Sequence, residues 1–129
     1  MDENQISKHV IEAAVEVTRV LGGPGLLESV YEEALAVELA MRGFRVRRQC
    51  ALPVAYKGFE LASQLRLDLV VNDLVIVECK ATSKFHDVFA TQALTYLRLS
   101  GKKLALIINF HVRPLRHGIY RIVNAIKDK

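Results

Sequence analysis

Residues 64–80 read QLRLDLVVNDLVIVECK, and no other stretch narrows the choice of fold as far. Two runs dense in Val, Ile and Leu flank Asn72-Asp73, a pair suited to a tight turn, so the segment predicts an antiparallel hairpin. Alternation along the second run puts Ile76, Glu78 and Lys80 on one face and Val75, Val77 and Cys79 on the other. Charged groups closing an apolar strand are costly to bury unless they are paired or bound to a metal. An exposed Glu–Lys pair at a strand end would account for the same pattern. The hairpin carries a geometric condition of its own. A two-residue loop would set Asp68 opposite Val77, and opposed residues share a face, so Asp68 and Glu78 would point to opposite sides. Joint action by the two acids requires an odd loop over residues 72–74, or a bulge that resets the alternation.

The rest of the chain supplies helices around these strands. Val10, Ile11, Ala14, Val15, Thr18 and Leu21 recur at helical spacing, and Gly22-Gly23-Pro24-Gly25 stops that helix. A second helix is expected over residues 26–42, with Leu27, Val30, Tyr31, Ala34, Leu35 and Met41 on one side. In that phase Glu28 is the acid turned inward, while Glu32 and Glu33 lean toward solvent. Residues 44–50 and 52–56 read as extended, with Lys57-Gly58 as a turn. A third helix is expected over residues 84–100, its stripe formed by Phe85, Val88, Phe89, Gln92, Tyr96 and Leu99. A glutamine in mid-stripe either finds partners in the core or borders a polar cavity, because an unsatisfied buried amide costs about 1–3 kcal/mol. Residues 103–110 hold LALIINF, a strand apolar on both faces. A last strand covers residues 118–123, and the tail is short and frayed. The fold class is α/β, a mixed β-sheet flanked by helices, in a single domain over residues 1–129.

Composition excludes some functions and permits others. No uninterrupted apolar run reaches the length of about 18 residues that spans a membrane, and the polar start lacks a secretory signal, so a cytoplasmic location is expected. Cys50 and Cys79 form no CxxC pair and read as buried thiols in a reducing compartment, and the four histidines have no zinc spacing. The net charge of +4 permits a nucleic-acid partner. Arg42, Arg45, Arg47 and Arg48 form one basic cluster and Arg113, Arg116, His117 and Arg121 another; each is a solvated face or a phosphate contact.

Gly25-Leu-Leu-Glu28-Ser-Val-Tyr31, the hairpin DLVVNDLVIVECKA, the helix segment Gln92-Ala-Leu-Thr-Tyr96-Leu97 and the strand LALIINF occur in this order. Together they resemble the GxxExxY proteins, a branch of the PD-(D/E)XK nuclease superfamily, over residues 10–123. The resemblance implies a restriction-endonuclease-like core of about four strands between helices. It implies that Asp68 and Glu78 are acidic metal ligands, that Lys80 is the lysine of the ExK element, and that Glu28 completes the metal shell. Gln92 and Tyr96 match a QxxxY element that sets the site around the phosphate. Leu67 stands where the eponymous proline would be, and Cys79 fills the variable position, offering its backbone carbonyl to the metal.

Hard carboxylate oxygens suit Mg²⁺ or Mn²⁺. The expected activity is metal-dependent hydrolysis of phosphodiester bonds, in DNA ahead of RNA. The alternative is a catalytically idle nucleic-acid-binding or assembly module on a nuclease scaffold. One site per chain leaves open a homodimer that would cut both strands. No membrane partner is expected.

Overall fold

The computed structural model describes residues 1–124, so the end of the chain expected to fray lies outside the described residues. Nine elements follow one another: α1 (Glu3–Leu21), α2 (Glu28–Met41), β1 (Val46–Tyr56), β2 (Phe59–Val71), β3 (Val75–Lys80), α3 (Val88–Ser100), β4 (Leu104–Asn109), a 3₁₀ turn (Leu115–Gly118) and β5 (Ile119–Val123). The sheet order is β1-β2-β3-β4-β5. All neighbours are antiparallel except β3 and β4, which run parallel. A parallel pair needs a crossover, and α3 provides it. The class is α/β with a mixed sheet flanked by helices, as the sequence predicts.

Two cores sandwich the sheet. Under α1 and α2, Leu69, Val71, Val75, Val77 and Cys79 meet Val10, Ala14, Tyr31 and Leu35. Under α3, Val70 and Ile76 meet Ala93, Tyr96 and Leu97. β4 is buried along its whole length, as expected of a strand covered on both faces. Residues 44–50 and 52–56, read as two extended pieces, form the single strand β1 after a short approach.

Each helix has a definite start or stop. Asp2 and Gln5 form a reciprocal capping box that satisfies two free N–H groups at the start of α1. Gly101, left-handed at φ 75°, ends α3. The buried faces differ from the expected stripes. α1 buries Ile6, Val10, Ala13, Ala14 and Val17, leaving Val15 and Leu21 exposed. α2 buries Tyr31, Glu32, Leu35, Ala36 and Leu39, with Leu27, Val30 and Met41 outside. α3 starts four residues later than residue 84 and turns Val88 and Leu99 to solvent. Apolar residues occur nearly all round α2 and α3, so periodicity alone did not fix their phase.

The hairpin between β2 and β3 meets its geometric condition. Val71 pairs with Val75, so three residues, 72–74, form the connection. Leu74 N donates to Val71 O at 3.0 Å, and Asn72 and Asp73 both have positive φ, a type I′ turn followed by one extra residue. Asn72 is held from both sides, its N–H donating to Arg45 O and its Oδ1 accepting from Arg45 N. The odd loop brings Asp68 level with Glu78.

Candidate active site

β2 and β3 pair only from Leu69↔Val77 to Val71↔Val75, and the ladder stops where Asp68 and Glu78 would continue it. Side chains take over its hydrogen bonds. Asp68 N donates to Glu78 Oε2 at 3.1 Å, and Cys79 N donates to Asp68 Oδ2 at 2.9 Å. Each acid thus accepts a backbone N–H from the opposite strand, and the strands fork around the two carboxylates. Asp68 also marks a reset of alternation on β2. Leu69 packs under α1 and α2, whereas Leu67, two residues away, packs under α3. On β1, Gln49, skipped in the pairing between Arg48↔Leu69 and Cys50↔Leu67, has φ 51°. This left-handed residue matches the kink across the strands.

The fork is electrostatically expensive. Glu78 is 4% exposed. Burial, reinforced by the Asp68 carboxylate, pushes its carboxyl up to about 8, against the opposing pull of the Asp68 N–H and the Lys80 charge. Asp68 is raised too, first by burial and then by the Glu32 and Glu28 carboxylates, while the Cys79 N–H and Lys80 oppose the shift. No basic side chain makes an ion pair with either acid among the described residues. Two acids sharing a buried gap without a paired cation are the chemistry a divalent cation relieves, so the donor set fits Mg²⁺ or Mn²⁺.

The remaining expected residues divide. Lys80 Nζ lies 4.6 Å from the Phe89 ring centroid on α3, a cation–π contact, and its charge acts on both Asp68 and Glu78. Tyr96 is buried in the core under α3, and its hydroxyl pKa is raised by burial and then by the charges of Glu78 and Asp68. Gln92 is exposed, not embedded in a stripe, because the buried face of α3 is formed by Ala93, Tyr96 and Leu97. It sits one turn before Tyr96 on the solvent side. Glu28, expected to face inward, is exposed, and its Oε2 accepts from Ala81 N at 3.2 Å just past Lys80. No three His, Cys, Asp or Glu side chains stand close enough to hold a metal among the described residues, so Glu28 does not complete a carboxylate triad here. The Cys79 side chain is fully buried under α1 and α2, and burial pushes its thiol up, so only its backbone borders the fork.

Three residues near the fork take parts that the sequence did not assign them. Glu32, expected in solvent, is 6% exposed and accepts from Gln49 Nε2 at 3.0 Å and from Arg48 at 3.3 Å. It ties α2 to the kinked part of β1. A four-residue spacing through Tyr31, Leu35 and Leu39 was the available signal, and it puts Glu32 beside the buried edge. Asn109, 1% exposed and level with Lys80 across β3 and β4, clamps the loop after β3. Its Oδ1 accepts from Thr82 N and its Nδ2 donates to Thr82 O. Phe89, which the sequence places on the α3 stripe with no role at the site, carries the Lys80 contact. Nothing in the sequence pattern singled out Asn109.

No curated protein and no solved structure matches the chain. A family model described as the PD-(D/E)XK nuclease superfamily matches residues 4–122, a span that takes in both helices before the sheet, the forked hairpin and the strands beyond it. A match over nearly the whole length, on a mixed sheet with an acid pair at its fork, has one reading: the chain belongs to the PD-(D/E)XK nuclease superfamily.

Proposed function

We propose that the protein is a metal-dependent phosphodiesterase acting on nucleic acid, DNA ahead of RNA, with Asp68, Glu78 and Lys80 as its catalytic residues. The observation that carries this reading is the reciprocal hydrogen bonding of Asp68 and Glu78 in the fork, with no basic side chain ion-paired to either acid among the described residues. Asp68, Glu78 and the Cys79 carbonyl would hold Mg²⁺ or Mn²⁺, with Glu28 joining if its carboxylate leaves Ala81 N. Bound there, the ion would supply charge neutralisation at the phosphate and acidify a coordinated water. Lys80 holds positive charge beside the reacting phosphate, where negative charge develops, and orients the attacking water. Phe89 limits the directions the ammonium can take. Tyr96 offers its hydroxyl to a phosphate oxygen or to Glu78, and Gln92 borders the open side. Asn109 positions the end of β3 through the loop that follows it.

We also assign the chain to the GxxExxY branch. In this reading Glu28 ties the start of α2 to Ala81, and Tyr31 stacks on Phe110 at 4.6 Å, so the signature joins α2 to the ends of β3 and β4. The chain acts as a single domain in the cytoplasm, and a homodimer would provide two sites for cutting both strands.

The missing third carboxylate favours a second reading, an idle nucleic-acid-binding module. Cleavage of labelled single- and double-stranded DNA and RNA with Mn²⁺ separates the two. Activity lost in EDTA and reduced about 10²–10³-fold by Lys80→Ala supports catalysis. A wild type, Asp68→Ala and Lys80→Ala that behave alike would retire it in favour of the module.

A further inference from the structure

β2 is more than twice as long as its partner β3. Their pairing ends at Leu69↔Val77, yet β2 begins ten residues earlier at Phe59. The two strands run antiparallel, so the early part of β2 extends past the end of β3 that bears Glu78 and Lys80. Over that stretch β2 pairs only with β1, out to Tyr56↔Phe59 at the turn. Leu52 and Leu65 are the last residues of this ribbon to reach the core under α3. Beyond them every residue of β2 back to Phe59 is exposed. At ~3.3 Å per residue the free ribbon reaches about 20 Å past the level of Lys80.

Its tip is unlike an ordinary solvated turn. Phe59 is 74% exposed and Tyr56 is 60% exposed, cross-strand partners at the end of an arm with no core beneath them. Lys57 Nζ stands 5.5 Å from the Tyr56 ring centroid. Along the arm toward the fork, Arg66 is exposed, its Nη1 donating to Gln49 O, and Glu60 is the acid next to the tip. Isolated two-stranded ribbons are marginal, and large exposed aromatics add no folding stability where nothing covers them. Aromatic faces beside cations, continuous with a phosphate-directed site, are what a single nucleic-acid strand stacks on.

We propose that this β1–β2 arm is a strand-binding platform: bases of a single-stranded stretch of nucleic acid leaving the candidate active site stack on Tyr56 and Phe59, with Lys57 meeting the attached phosphate. The proposal rests on the nuclease reading for the identity of the substrate and adds a binding site remote from the reacting bond. It makes substrate length the discriminating variable. A strand long enough to reach the tip uses the aromatics, and a dinucleotide cannot.

The test compares wild type with Tyr56→Ala/Phe59→Ala, using a long labelled single strand and, as the short substrate, a dinucleotide. The double variant is expected to bind the long strand at least about tenfold more weakly by fluorescence anisotropy in EDTA. With Mn²⁺, KM for that strand rises by a similar factor while turnover of the dinucleotide is unchanged. Tyr56→Phe/Phe59→Tyr, which keeps both rings, restores long-strand binding. Thermal unfolding reports whether the variants keep the wild-type stability. Binding is read without cleavage, so an inactive protein whose arm variant loses strand affinity retires the nuclease reading and leaves the platform standing. Equal long-strand affinity in wild type and double variant overturns the platform. So does a double variant whose single defect is loss of self-association in sedimentation, which would make a second copy of the chain the occupant of the arm.

Discussion

The acid pair, with Glu78 buried and Asp68 half-buried, makes the metal-free protein sensitive to pH in a direction opposite to most carboxylates. Glu78 has its carboxyl raised from 4.5 to about 8 by burial and by Asp68. The unfolded chain therefore loses this proton near 4.5, while the folded protein keeps it until about 8. Below 4.5 both states are protonated and the group has no effect on stability. Between 4.5 and about 8 the folded state binds more protons, so stability falls as pH rises, by about 1.4 kcal/mol per pH unit for one group. Across the interval the loss is on the order of 5 kcal/mol, and above about 8 it levels off. At this chain length about 1 kcal/mol corresponds to roughly 3–5 °C, so the melting temperature in EDTA should drop by more than about 10 °C from this group. The comparison that isolates it is Glu78→Gln, whose amide oxygen can still accept the Asp68 N–H but cannot ionise. The variant should lose the part of the slope that Glu78 contributes, keeping the share from Asp68, and be more stable than wild type at pH 8. Superimposable melting-temperature profiles for the two proteins would refute the reasoning, because Glu78 would then titrate no differently in the folded and unfolded chains.

The same linkage predicts how metal binds and how the acids are supported. Ligands must be deprotonated to bind a cation, so Mn²⁺ at neutral pH should displace about one proton and its affinity should rise toward pH 8. Calorimetry in buffers of different ionisation enthalpy reads that proton, and buffer-independent heats would contradict it. Glu32 adds its charge to the burden on Asp68 and Glu78, so Glu32→Gln should lower the Glu78 titration midpoint, measured by NMR of the carboxyl carbon. Glu32→Ala leaves Gln49 and Arg48 without their partner and should cost about 1–3 kcal/mol in chemical unfolding; no loss would mean that the contacts to β1 are dispensable.

Strand content and the site hairpin were legible because their signals are local and binary. Alternation in DLVVNDLVIVECK leaves one register compatible with a shared gap, and the odd loop over residues 72–74 supplies it. LALIINF could be little other than a covered strand. Helix phase was less legible. In α2, Val30, Ala34 and Val37 are as apolar as Leu35 and Leu39, so the sequence offers two faces, and contact with the sheet chooses Tyr31, Glu32 and Leu35. That choice reverses the expected roles of Glu28 and Glu32. In α3 a similar rotation carries Gln92 to the surface. Side-chain clamps such as Asn109 depend on partners far away in sequence and leave no periodic trace.

The departure at Glu28 bears on how the fork is held. A carboxylate bonded to Ala81 N restrains the chain one residue after Lys80. On the other side of the gap, Glu32 restrains β1 at Gln49, the left-handed residue opposite Asp68. Two glutamates one helical turn apart on α2 thereby grip the two sides of the opening between β2 and β3. The opening exchanges ladder hydrogen bonds for the two bonds made by Asp68 and Glu78 and concentrates negative charge, so support from outside β2 and β3 adds to what holds it open. Rigid support from a neighbouring helix is what allows two acids to stay poised in one gap before a cation arrives.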